Sequence, residues 1–202
     1  MPVLLICVII FAVTLKYKLR SVERIEKKQE EDFLQTERKA SLPVKRDLGT
    51  LPLLSISLES LPFQENTSGK LASYETTIRD LASQKICNLT GISNTDLKLK
   101  YGAGNLELLS TYEQNYILLI QTLTNWGTHL YHIQNYQESK MVLEYAVSCN
   151  SDMRQTYITL ARIYKKEDQI DKIYELLSHV ESVSTTLDLK KAIYGVLNEY
   201  ED

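Results

Sequence analysis

The carboxyl-terminal half of the chain repeats itself at an interval of 34 residues. Shifted by that interval, Leu123 falls on Tyr157, Trp126 on Leu160 and Gly127 on Ala161. Leu130 then falls on Tyr164, Tyr136 on Ile170, Leu143 on Leu177 and Ala146 on Val180. A second shift carries Leu160-Ala161 onto Tyr194-Gly195. Large residues meet large ones, and small meets small at one position. A unit of this length cannot bury its apolar face alone, so it must stack on a neighbour. No local motif constrains the fold as tightly.

The periodicity around the repeat is helical. Leu71, Tyr74, Ile78, Leu81 and Leu89 share one face, and Gly91 reads as a stop. Asn94 or Thr95 caps a short helix over 96–101, Gly102 and Gly104 break it, and Asn105 caps the next. That next helix is long: Leu106, Leu109, Tyr116, Ile120, Leu123 and Leu130 keep a 3-4 spacing to about Ile133.

Over residues 120–200 this pattern resembles the tetratricopeptide repeat, a helix–turn–helix unit of 34 residues. The first copy reads Leu123, Trp126-Gly127, Leu130 and Ala146; the second reads Tyr157, Leu160-Ala161 and Tyr164. A third, helix-only copy reads Lys191 and Tyr194-Gly195, as a capping helix would. The small residue leaves room for close approach of paired helices. The chain departs from the family pattern at Ser139 and Ile173, where Ala is usual, and at Ser151 and Thr185, where Pro often closes the unit. The resemblance implies an all-α fold: a stack of antiparallel helix pairs, an α-solenoid of about two repeats. Helices over 70–119 would serve as its amino-terminal cap.

Residues 3-VLLICVIIFAVTL-15 are apolar apart from Thr14, and the basic cluster 16-KYKLR-20 follows directly. A secretory signal would place the charge before the apolar core. The order here predicts a membrane anchor, although 13 residues reach only about 20 Å against a bilayer core of about 30 Å. Lys16, Lys18 and Arg20 place the carboxyl-terminal body in the cytoplasm under the positive-inside rule. The expected layout is an anchor helix over 1–17, a charged juxtamembrane helix and Pro-containing linker over 18–69, and the helical-repeat domain over 70–202. Leu19, Val22 and Phe33 fit a heptad seam broken by Glu26 and Gln29.

Three of the four prolines, at 43, 52 and 62, fall in the linker. Between them Leu54, Ile56 and Leu58 alternate with Ser55, Ser57 and Glu59, which is strand periodicity with one apolar face. No second strand is evident in the sequence, so this segment is expected to lie against the helical body.

Little points to chemistry. Cys7, Cys87 and Cys149 lack metal-ligand spacing; Cys87 and Cys149 read as small buried hydrophobes, with a bridge between them as the alternative. His129 and His132 have no third ligand near in sequence. No GxSxG, HExxH or GxxxxGK[ST] motif occurs, and 101-YGAGN-105 follows a helix rather than a strand. The expectation is a protein that is not an enzyme and takes no cofactor or metal. A net charge of −3 excludes a general nucleic-acid surface. Asn66-Thr-Ser and Asn88-Leu-Thr match the glycosylation pattern.

What remains is binding. In tetratricopeptide repeats the first helix of each unit lines a concave groove. The resemblance carries that role to Gln121, Thr124, Thr128, Tyr131 and His132, then to Gln155, Ile158, Arg162, Lys165 and Lys166. The narrower candidate set is Thr128, Tyr131, His132, Arg162, Lys165 and Lys166. Its second half is basic and complements an acidic peptide or carboxyl terminus. The expected function is a membrane-anchored protein-interaction module. The alternative is a structural subunit of a membrane-associated complex or a homo-oligomer.

Overall fold

The computed structural model describes residues 2–42, 44–64, 67–183 and 187–199; residues 2–14, 23, 182, 183 and 187 are described in backbone only. Eight helices dominate the described residues: α1 (Pro2–Ala40), α2 (Gly69–Ala82), α3 (Asn94–Tyr101), α4 (Leu106–His132), α5 (Tyr136–Ser148), α6 (Arg154–Lys166), α7 (Ile170–Val183) and α8 (Leu187–Asn198). Two short strands, β1 (Leu53–Leu54) and β2 (Ile86–Cys87), pair antiparallel, with Leu53 opposite Cys87 and Leu54 opposite Ile86. The chain divides into two compact units, residues 1–50 with 90–108 and residues 51–89 with 109–202.

The first unit joins the end of α1 to α3. Ser93 caps α3: its Oγ accepts from the Asp96 amide at 3.1 Å and donates to the Asp96 carboxylate at 2.6 Å. The cap therefore sits one residue before Asn94 and two before Thr95, the two expected from the sequence. Glu37 of α1 pairs with Lys98 and accepts from Thr95 Oγ1 at 2.6 Å. At the end of α3, Gly102 has φ +87°, and a Cβ there would lie 2.0 Å from the Val44 carbonyl oxygen. Only glycine combines that left-handed backbone with that approach. Asn105, expected to cap α4, directly precedes that helix. It is buried, and its amide donates to the Arg46 and Tyr101 carbonyls at 2.8 and 2.9 Å.

Residues 15–36 of α1 are exposed wherever described, including Leu15, Leu19, Val22, Ile25 and Phe33. Among the described residues no helix is long and apolar enough to cross a membrane. The anchor expected at 3–15 rests on side chains that, Leu15 apart, lie outside the described residues.

The second unit holds the repeat. The turns α4–α5 and α6–α7 are three residues each, 133–135 and 167–169. Gln134 and Asp168, which stand 34 residues apart, both adopt left-handed backbone, with φ 65° and 56°. In each turn the next amide reaches back to close the helix: Asn135 to the Leu130 carbonyl at 2.9 Å, Gln169 to the Tyr164 carbonyl at 2.8 Å. The aligned pairs share burial as well. Leu123 with Tyr157, Trp126 with Leu160, Leu130 with Tyr164, Leu143 with Leu177 and Ala146 with Val180 are all core residues.

The physical reason for Gly127 is direct. A Cβ on it would fall 2.5 Å from Leu143 of α5. Ser139, where the family prefers Ala, is fully buried and donates from Oγ to the Gly127 carbonyl at 2.7 Å. The third copy differs. Tyr194 is half exposed, and nothing lies within 4 Å of a Cβ built on Gly195. α8 instead buries Leu189, Ala192, Ile193 and Val196, one residue out of the expected register.

The linker segment docks on this second unit. Leu61 is buried, and Leu54, Ile56, Leu58 and Phe63 pack against the core formed by α2, α4 and α5. The Ser57 amide donates to the Tyr145 hydroxyl at 2.8 Å, and Phe63 stacks on Trp126 with ring centroids 5.4 Å apart. The missing strand is Ile86–Cys87. It follows α2, which stops at Ala82 rather than continuing to Leu89; Leu89 is nevertheless buried.

Candidate partner-binding site

The candidate residues divide into three groups in the second unit. Thr128 is half buried, and its Oγ1 is enclosed without a hydrogen-bond partner among the described residues. Thr124, also expected on the groove, is 2% exposed: its hydroxyl donates to the Ile120 carbonyl and lies 2.7 Å from Thr156 Oγ1. Thr124 and Thr156 thus join α4 to α6 and do not offer a surface.

Arg162 and Lys165 are engaged by the end of α8 and by Glu199 just after it. Arg162 holds the Glu199 carboxylate through both Nη2 at 2.8 Å and Nε at 3.4 Å. Lys165 Nζ donates to the Val196 and Leu197 carbonyls at 3.0 and 3.3 Å, and to the Glu199 carbonyl. A lysine there satisfies the orphan carbonyls at the end of α8 and complements its dipole. The hydrogen bond from Arg162, more than its charge, holds the Glu199 carboxyl below the ordinary glutamate value. Two of the three cations expected to line an open groove are thus engaged by the chain itself.

Lys166 turns the other way. Its ammonium sits 3.8 Å from the centroid of the Tyr136 ring. Tyr136 meets Tyr131 edge-on at 5.4 Å, and Tyr131 meets His132 at 5.9 Å. His132, Tyr131, Tyr136 and Lys166 therefore form a continuous row. Beside it opens a cavity of about 460 Å³ whose lining includes Tyr136, Gln137, Glu138, Ile163, Lys166 and Glu167. Glu167 is tied down by Lys140 at 2.6 Å and by Gln137 at 2.8 Å. Its volume falls within the roughly 300–1,000 Å³ of ordinary ligand pockets. The cavity has an aromatic wall at Tyr136 and a cation at its edge, and Ile163 lies fully buried behind it.

Sequence reasoning missed Tyr136 and Glu167 as members of this site. Tyr136 had a place in the 34-residue alignment as a packing residue, which hid its second edge. His129 and His132 do not act together: His129 lies edge-on to Tyr74 of α2 at 6.2 Å, and His132 lies against Tyr131. Among the described residues no group of three or more His, Cys, Asp or Glu is placed to hold a metal. Of the two glycosylation matches, Asn66 lies outside the described residues, and Asn88 donates from Nδ2 to the Tyr116 hydroxyl at 3.0 Å.

No protein-family model, curated protein or solved structure matches the chain.

Proposed function

We propose that the protein is a membrane-anchored interaction module whose tetratricopeptide-like body binds a protein or peptide segment. The observation that carries this reading is the row His132–Tyr131–Tyr136–Lys166, whose Tyr136 and Lys166 end lines the 460 Å³ cavity. A partner side chain seated on the Tyr136 ring, with an acidic group at Lys166, uses both. The Lys166 ammonium leaves Tyr136 for a carboxylate at little cost, because an exposed cation–π contact is worth only about 0.5–1 kcal/mol. The anchor at 3–15 would hold the body at a membrane, with that body on the cytoplasmic side, and raise its effective concentration for a membrane-bound partner.

The test is site-directed crosslinking in intact cells from a photoreactive residue at Gln137, repeated with Lys166→Glu and with Tyr136→Ala. Both changes should abolish the adduct formed by the parent. An adduct of unchanged yield in both would sink the reading.

A second reading, a homo-oligomer or structural subunit, draws on the exposed stripe of Leu15, Leu19, Val22 and Phe33 on α1. Light scattering of the full chain in detergent separates the two. A single-chain mass favours the module, and a defined multiple favours the subunit.

A further inference from the structure

We propose that α1 carries a basic face, formed by Lys16, Arg20, Arg24, Lys27 and Lys28, that binds anionic lipid headgroups. The inference rests on the anchor reading above and adds the composition of the membrane. It starts from the continuity of α1, one unbroken helix from Pro2 to Ala40. At about 100° per residue, these five cations fall within an arc of about 120°. Leu15, Leu19, Val22 and Phe33 fall within about 60° on the far side. All five basic side chains are exposed.

The partner follows from position. The basic face begins at Lys16, directly after the apolar run, in the same helix. Lys16 to Lys28 span about 18 Å along the axis. A zone of headgroups about 5–7 Å deep lies above each side of the hydrocarbon core. An upright helix therefore immerses Lys16, Lys18 and Arg20. Arg24 stands within about a turn more, where the surface potential still acts over a Debye length of about 8 Å. Any tilt toward the basic side brings Lys27 and Lys28 down as well. The acidic run Glu30-Glu31-Asp32 then ends the attraction, so the ledge has a defined upper edge. A nucleic acid or an acidic protein would find the same cations, but neither accounts for their abutting the apolar run.

Each cation near an anionic surface raises partitioning about fivefold. Flotation of the full chain with vesicles tests this. One set is phosphatidylcholine alone, and the other contains one third phosphatidylserine. The anionic vesicles should take up more protein by a factor on the order of 100, and raising the salt should erase the difference. The combined Lys16→Gln, Arg20→Gln, Arg24→Gln and Lys27→Gln variant, which keeps Lys18 and Lys28, should lose most of that gain, while an Arg38→Gln, Lys39→Gln control keeps it in full. Circular dichroism matching the parent shows the variant is still folded.

Equal uptake by both vesicle sets overturns the basic face and leaves the anchor standing. Gain on anionic vesicles with no binding to neutral ones overturns the anchor and still supports the basic face. A gain that survives for the most part in the four-residue variant overturns the assignment. So does saturable binding of polyglutamate or an oligonucleotide to the parent, and not to that variant, at physiological salt.

Discussion

The Tyr116 hydroxyl donates to the Asn150 carbonyl at 2.8 Å and so ties the middle of α4 to the corner between α5 and α6. It also reaches the Cys149 carbonyl at 3.2 Å and receives the Asn88 amide at 3.0 Å. Tyr157 secures the same corner from the other side, donating to the Ser151 carbonyl at 2.6 Å. Burial pushes both phenols up, Tyr157 to about 12, so both stay protonated donors across the physiological range. Asn150 can hold the left-handed φ of 60° that this corner needs. Tyr116→Phe keeps the ring and deletes the clamp, and it should cost about 1–3 kcal/mol. A urea midpoint shift at unchanged slope measures it. An unshifted midpoint would show that the corner holds without the hydroxyl.

Gly127 and Gly195 occupy equivalent places in the sequence repeat and opposite places in the structure. A methyl on Gly127 would meet Leu143 at 2.5 Å, and Leu143 is itself fully buried. A methyl on Gly195 meets nothing. Gly127→Ala should therefore destabilise by about 1–3 kcal/mol through overpacking. Gly195→Ala should stabilise by up to about 1 kcal/mol through helix propensity alone. Thermal melts of the two variants should move in opposite directions. Both falling would mean that α8 packs in the register of the other two helices.

The contrast shows what periodicity conveys. Pattern alone placed the first two copies, because Trp126-Gly127 and Leu160-Ala161 must face a partner helix. It misplaced the third: Tyr194-Gly195 has the right letters, yet Tyr194 is half exposed and a Cβ on Gly195 meets nothing among the described residues. The buried set of α8, Ile193 and Val196, is chosen by α6 and α7 instead. The alternation at Leu54, Ile56 and Leu58 was legible for the same reason as the helices: one face is apolar. Its partner Ile86–Cys87 was not, since two residues make no period. The candidate site was legible only in part. Which lysine stays inside depends on where α8 ends, and no feature of α6 encodes that.

Docking of the linker makes its own prediction. Residues 53–60 contain an exposed loop sequence that a protease would cut in a free chain. The folded protein should resist cleavage there, because the Ser57 amide is held by Tyr145 and the apolar side chains pack on the core. Leu61→Ala, at a residue 5% exposed, should cost about 2–5 kcal/mol and open the site. Tyr145→Phe should speed cleavage less. Fast cutting of the parent within 53–60 would contradict the docked segment.

Cys149 offers a chemical check on the same core. Burial raises its thiol to about 11, against an ordinary value of 9.0, and Cys87 is shifted upward for the same first reason. Only thiolate reacts with disulfide reagents or alkylators. In a Cys7→Ser background, both cysteines should resist labelling at pH 8 while the protein is folded and react at once in denaturant. Rapid stoichiometric labelling of the folded protein would place these thiols outside the core.

The Arg162–Glu199 contact gives a pH dependence with a definite sign. The hydrogen bond from Arg162 lowers the Glu199 carboxyl below its ordinary value of 4.5. The folded form therefore binds its proton less readily than the unfolded chain. The resulting stabilisation is present above the ordinary value and is lost as pH falls through the lower folded one. Both groups are largely exposed, so solvent screening keeps the effect on stability small. The titration itself is the sensitive readout. Carboxyl NMR of Glu199 should show a midpoint below that of an unpaired glutamate, and Arg162→Met should raise it toward the ordinary value. Lys166→Glu should move it far less, because Lys166 lies over Tyr136 rather than at the end of α8. Equal displacement by the two changes would mean that Arg162, Lys165 and Lys166 act as one basic patch, contrary to the division seen here.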